Sequence, residues 1–232
     1  MPKDTSKVRR QRKLKKPVPK SDKLGPMFGG CSEQEVRQKT LPDLIKPHLQ
    51  ILFVGINPGL YSAFRGHYYS KKGNHFWPCL TLSGLVPAHF GPDNDQNCLD
   101  LGIGFTDIVS RCTRSQSELS DAEIAVGAEK LREKIAACNP MLTVFNGKGI
   151  YAKFVGKKLK DISCGVQTLV LDECVSKFYV MTSSSPLNAH FPTAESRMFY
   201  YDEIKALLLD LRKSPYFIAD PSKSHKSCKT QT

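Results

Sequence analysis

Several things are missing from this 232-residue sequence, and each absence removes a class of function. It has no run of 18 or more apolar residues, so no membrane-spanning helix is expected. The N-terminus lacks the apolar region of a secretory signal. Eight cysteines (31, 79, 98, 112, 138, 164, 174 and 228) form no Cys-x-x-Cys pair, and the six histidines are scattered. Neither zinc nor iron–sulfur spacing is present, so no metal is expected and the thiols should be reduced and mostly buried. Gly-x-x-x-x-Gly-Lys-[Ser/Thr] and Gly-x-Gly-x-x-Gly are both absent, which leaves a nucleotide cofactor without support; no cofactor is expected. Without a Gly-x-Ser-x-Gly elbow, a Ser–His hydrolase has little support either. There is no internal repeat.

Charge is plentiful but unevenly placed. Residues 1–24 hold ten Lys/Arg against Asp4 and Asp22, a net +8, and contain Pro2, Pro17 and Pro19. This composition reads as a disordered basic tail, and 214–232 as a second one carrying +2. Only +2 of the total +12 remains for a central domain over 25–213. Long-range attraction to polyanions therefore resides mainly in the tails. A basic tail of this kind fits a nuclear import signal, a nucleic-acid arm or a solvated end.

The central domain is organised around Ile51 to Gly59, ILFVGINPG. Four apolar residues run into Gly-Ile-Asn-Pro-Gly, which cannot continue a strand: a buried, parallel strand ending in a turn that holds Asn57. Pro58 fixes its own φ and pushes Asn57 into an extended conformation. Residues 60–74 read as a loop rich in aromatic and basic side chains, and 76–84 as a buried helix. GIGFTDIV (102–109) is apolar enough to be partly buried. Ser120 and Glu123 form a capping box for a helix to about Cys138. MLTVF (141–145) is a second buried strand, followed by Asn146-Gly147-Lys148 at a helix start. Strands are also expected at 166–171 and 178–181, the latter ending in Ser183-Ser184-Ser185-Pro186, and a final helix over 194–213. Alternating elements predict an α/β fold with a mostly parallel sheet covered by helices on both faces. Right-handed crossovers would then bring GINPG, NGK and SSSP to one rim, where open α/β sheets bind ligands. Lys148 at a helix start and the serines suit an anion. Asn57 suits placement of a water, and the aromatic loop suits stacking of a planar base.

GINPG, GHYYSKKGNHFWPCL, GIGFTDIV, VFNGKGIY and MTSSSPLNAHFP, in that order, resemble the mismatch-specific uracil/thymine DNA glycosylase family, with the eukaryotic thymine DNA glycosylase branch the most similar. The resemblance implies a three-layer α/β/α sandwich of the uracil-DNA glycosylase superfamily. It also implies base flipping without metal or cofactor, double-stranded DNA with G·U or G·T mispairs as partner, and downstream abasic-site repair enzymes. Carried over by residue, Asn57 would place the attacking water, amides around Ile56 would hold a base carbonyl, and Tyr69 would stack on the flipped base. Asn74 would support the catalytic loop. Lys148, Ser183 and Ser185 would touch phosphates, and Leu187 falls where the family places its wedge.

Two positions depart from the vertebrate branch: Tyr68 stands for a His and Asp107 for an Asn that touches the base. An ionised Asp107 would accept from N3–H of uracil or thymine and repel a carboxylate on the pyrimidine, implying good activity on G·U and poor activity on 5-carboxylcytosine. The expectation is a monomeric, monofunctional glycosylase removing uracil, thymine or etheno-cytosine opposite guanine. Its compartment would be the nucleus, or the cytoplasm if the source is bacterial. Two rivals, a non-catalytic damage-recognition protein and a nucleoside hydrolase, fit the residues less well.

Overall fold

The computed structural model describes residues 25–214 except Glu173; the readings made above for the two tails lie outside these residues, save at Ser214. Five strands form one sheet in the order β2-β1-β3-β5-β4: β1 Ile51–Gly55, β2 Ile103–Asp107, β3 Leu142–Phe145, β4 Gly165–Gln167 and β5 Lys177–Val180. All neighbours pair in parallel except β4, which runs antiparallel along the edge of β5. Because side chains alternate across a strand, the sheet has two buried faces. Ile51, Phe53, Phe105, Leu142, Val144 and Tyr179 pack with α3 (Phe76–Leu82) and α6 (Met198–Lys213). Leu52, Val54, Phe145, Phe178 and Val180 pack with α4 (Asp121–Cys138) and α5 (Lys148–Val155). The fold is the expected α/β arrangement, a mostly parallel sheet between two helical layers.

Some elements differ from expectation. IGFTD is a full strand, β2, at the edge of the sheet and buried along its whole length. Its glycine, Thr106 and Asp107 hide it from a propensity reading; Gly104 is required because an added Cβ would come within 2.6 Å of the Leu44 carbonyl. The 60–74 segment opens with a short helix, α2 (Leu60–Arg65), before its irregular part. The strand expected over 166–171 is only the three-residue β4. The last helix begins with a 3₁₀ turn at Glu195–Arg197 before α6 proper.

The lead-in has its own role. In α1 (Glu33–Arg37), capped reciprocally by Ser32 and Glu35, Val36 packs with Leu60, Ala63 and Cys112 in a third apolar cluster that Phe28 and Phe64 border. All seven cysteines among the described residues are free. Burial pushes the Cys79 thiol up to about 11 and Cys98 and Cys138 up to about 12, so these thiols serve as apolar packing.

Candidate active site

The carboxyl ends of β1, β2, β3 and β5 converge on a cavity of about 190 Å³. Its wall carries Gly55 to Gly59, Tyr68, Tyr69, Asn74, Asp107, Asn146 and Ser183 to Ser185. The three loops expected on one rim do meet there. A groove of about 530 Å³ continues outward past Asn57, Lys71, Arg114, Lys148, Ser183 and Leu187. Three cations and no carboxylate line that groove, although Arg114 is also paired with Glu33.

Asn57 is fixed by its amide nitrogen. Nδ2 donates to the carbonyl of Arg111 and to Thr113 Oγ1, both at 2.8 Å, and more weakly to the Pro58 carbonyl at 3.3 Å. Carbonyls only accept, so the nitrogen must face them and Oδ1 must face away. Oδ1 has no hydrogen-bond partner among the described residues. The loop that grips Asn57 is itself anchored. Arg111 is paired with Glu123 at 2.8 Å, and the Cys112 thiol lies 3.5 Å from the Val36 carbonyl. Thr113 bridges Gly59.

The aromatic loop is held from beneath. Asp95, 1% exposed, accepts from the Tyr68 amide (2.9 Å) and meets His67 Nδ1 at 3.0 Å. Tyr69 adopts a left-handed backbone (φ 54°), uncommon for a residue with a side chain and often found at functional sites. Its ring stacks on Phe76 with centroids 3.9 Å apart. The hydroxyls of Tyr68 and Tyr69 are both buried without a partner, and burial raises the pKa of each. Asn74 Oδ1 accepts from the Phe76 amide at 2.9 Å, so it caps α3 behind Tyr69.

The serine loop is held from three sides. Asn146 donates to Ser184 Oγ (2.8 Å) and accepts from the Ser184 amide (2.9 Å). The His75 amide donates to the Ser184 carbonyl. Arg197, fully buried, donates to the carbonyls of Ser183, Ser185 and Thr193 at 2.7–3.2 Å. Beyond this clamp Leu187 stands 86% exposed, and Lys148, at the start of α5, lines the same groove.

With this geometry in view, the profile of the Uracil DNA glycosylase superfamily matches residues 42–208. The chain belongs to the uracil DNA glycosylase superfamily. Its structure is also similar to a solution NMR structure of a candidate uracil DNA glycosylase from Methanosarcina acetivorans, at 20% identity, covering 73% of this chain and 98% of that one, with a TM-score of 0.47.

Within this superfamily member, sequence reasoning put Asn146 and Ser184 on the rim without seeing that they bind each other, and missed Thr113 and Arg197 as parts of the site. Asn146 follows a buried strand as Asn57 does, and that position was a usable signal. Arg197 gave none, since an arginine at a helix start reads as solvated. Asp107 needs correction of another kind. Burial, and secondarily Asp43, push its carboxyl up to about 8, with Lys134 pulling it down. The shift favours the neutral carboxyl at neutral pH and so weakens the expected repulsion of a pyrimidine carboxylate.

Proposed function

We propose that this protein is a monofunctional DNA glycosylase that flips uracil, and thymine or etheno-cytosine, from mispairs with guanine and hydrolyses the N-glycosidic bond. The observation that carries this reading is the Asn57 carboxamide, its N–H donors bound to Arg111 and Thr113 and its oxygen left to accept from a water. A stacked base cannot be reached inside a duplex, so the target nucleotide must leave the helix. The cationic groove would hold the phosphates, exposed Leu187 would fill the vacated stack, and Tyr69 would cover the base. The bond from C1′ to N1 breaks with its electron pair going to the base; water's oxygen bonds C1′, and the proton that water sheds ends on the departing base. Lys71 reaches the cavity wall but is exposed, and a nucleophilic amine needs desolvation, so no Schiff base is expected.

Single-turnover assays on a duplex with one G·U pair, beside free deoxyuridine, test the reading. Release from the duplex alone supports it. Release from the free nucleoside would make this a nucleoside hydrolase, and binding without release a recognition protein. Deleting residues 1–24 should lower affinity for undamaged duplex and flatten its salt dependence, because fewer counterions are released, while the single-turnover rate at saturating enzyme stays the same. An unchanged salt slope would assign the tail another role.

A further inference from the structure

The cavity contains a carboxyl that protein contacts leave unexplained. Asp107, at the end of β2, is 6% exposed and lines the cavity, yet its carboxyl has no hydrogen-bond partner among the described residues. A buried carboxylate ordinarily has a cation or several N–H donors against it. Its neighbours here supply neither. Gly55 on β1 faces it with no side chain: a Cβ there would stand 2.1 Å from Asp107 Oδ1. From the aromatic loop come Tyr68 and Tyr69, whose buried hydroxyls are likewise without a partner and offer the carboxyl no hydrogen bond. Behind it, Lys134 of α4 is bound to Asp43 at 2.6 Å, so its charge is already matched.

We propose that Asp107 acts as a neutral carboxylic acid that reads the imide edge of the flipped pyrimidine, accepting from N3–H while donating its O–H to the adjacent ring carbonyl. The inference rests on the glycosylase reading above and narrows its substrates to pyrimidines with N3–H beside a carbonyl, uracil and thymine, leaving out etheno-cytosine, whose N3 carries no hydrogen. The two contacts lie side by side on one carboxyl, as they do on the base edge. The donated bond contributes more than recognition. As the C1′–N1 bond breaks, negative charge spreads onto the ring oxygens, and a donor fixed at such an oxygen strengthens toward the transition state. A carboxylic acid kept un-ionised by its surroundings is a known way to supply that donor. Asp107 keeps its proton throughout, so no further proton acceptor is needed. The glycine that ends β1 follows from the same requirement, since any side chain at 55 would occupy the carboxyl's place.

Asparagine presents the same acceptor and donor but does not titrate, which makes Asp107→Asn the deciding variant. In single-turnover assays on a G·U duplex from pH 6 to 9, the parent rate should fall above pH 8, approaching about tenfold per unit. Asp107→Asn should stay within about threefold of the parent at pH 7 and remain flat to pH 9, whereas Asp107→Ala should lose on the order of 10²-fold. A parent rate that climbs from pH 7 to 9, an Asn variant more than tenfold slower at pH 7, or identical pH profiles would each overturn the proposal.

Thermal unfolding reads the same proton without catalysis. A carboxyl whose folded pKa lies above its unfolded value makes the parent lose stability as pH rises from about 4 to about 8. Asp107→Asn should lack that loss, and an equal pH dependence of Tm in both proteins would also overturn the proposal. A parent inactive on every G-paired lesion would sink the glycosylase reading, and the imide-edge assignment with it. The Tm comparison would still judge whether the carboxyl is neutral.

Discussion

Asn57→Ala should release uracil from a G·U duplex on the order of 10²–10⁴ times more slowly than the parent, with duplex affinity nearly unchanged. The size follows from what the carboxamide does. Its nitrogen is committed to Arg111 and Thr113, so the oxygen cannot rotate away, and a water bound there is placed without further ordering. Asn57→Asp should be nearly as damaging. A carboxylate cannot donate to the Arg111 and Pro58 carbonyls, and it would swing away from both. A rate for Asn57→Ala within a few-fold of the parent would remove Asn57 from the chemistry.

Arg197→Met should produce the largest loss of stability among single changes at this rim, about 2–4 kcal/mol, and should weaken duplex binding as well. Three carbonyls of the serine loop and its flank converge on one buried guanidinium, and methionine leaves all three without a donor. Arg197→Lys should recover only part, because one ammonium cannot reproduce the planar fork. Denaturant unfolding measures the stability and G·U titration the affinity. A loss below 0.5 kcal/mol, on the order of an ordinary surface change, would mean the loop holds itself.

Much of this was legible in the residues. The ILFVG and LTVF runs announce buried parallel strands, and the capping box at Ser120 gives the start of α4. The turn residues after β1, β3 and β5 mark the rim, because strands that run in parallel end on the same side. What was hidden depends on partners distant in sequence. The roles of Arg111 and Thr113 arise only because they lie 54 and 56 residues beyond Asn57 yet touch it. Asp107 was visible as an acid, but its protonation depends on burial between β1 and the aromatic loop, which no local pattern encodes. Helix α6 buries Tyr201, Ile204, Leu208 and Leu211, while Phe199 in its first turn is 65% exposed.

The superfamily profile begins at residue 42, but the chain's own architecture begins earlier. Val36 and Phe28 shield Cys112, and Cys112 sits between the two residues that grip Asn57. A fragment cut at the profile's edge would keep every side chain assigned a chemical duty and still lose the brace behind the most important of them. Such a fragment should be soluble and folded by circular dichroism yet slow, and adding back residues 25–41 should restore its rate.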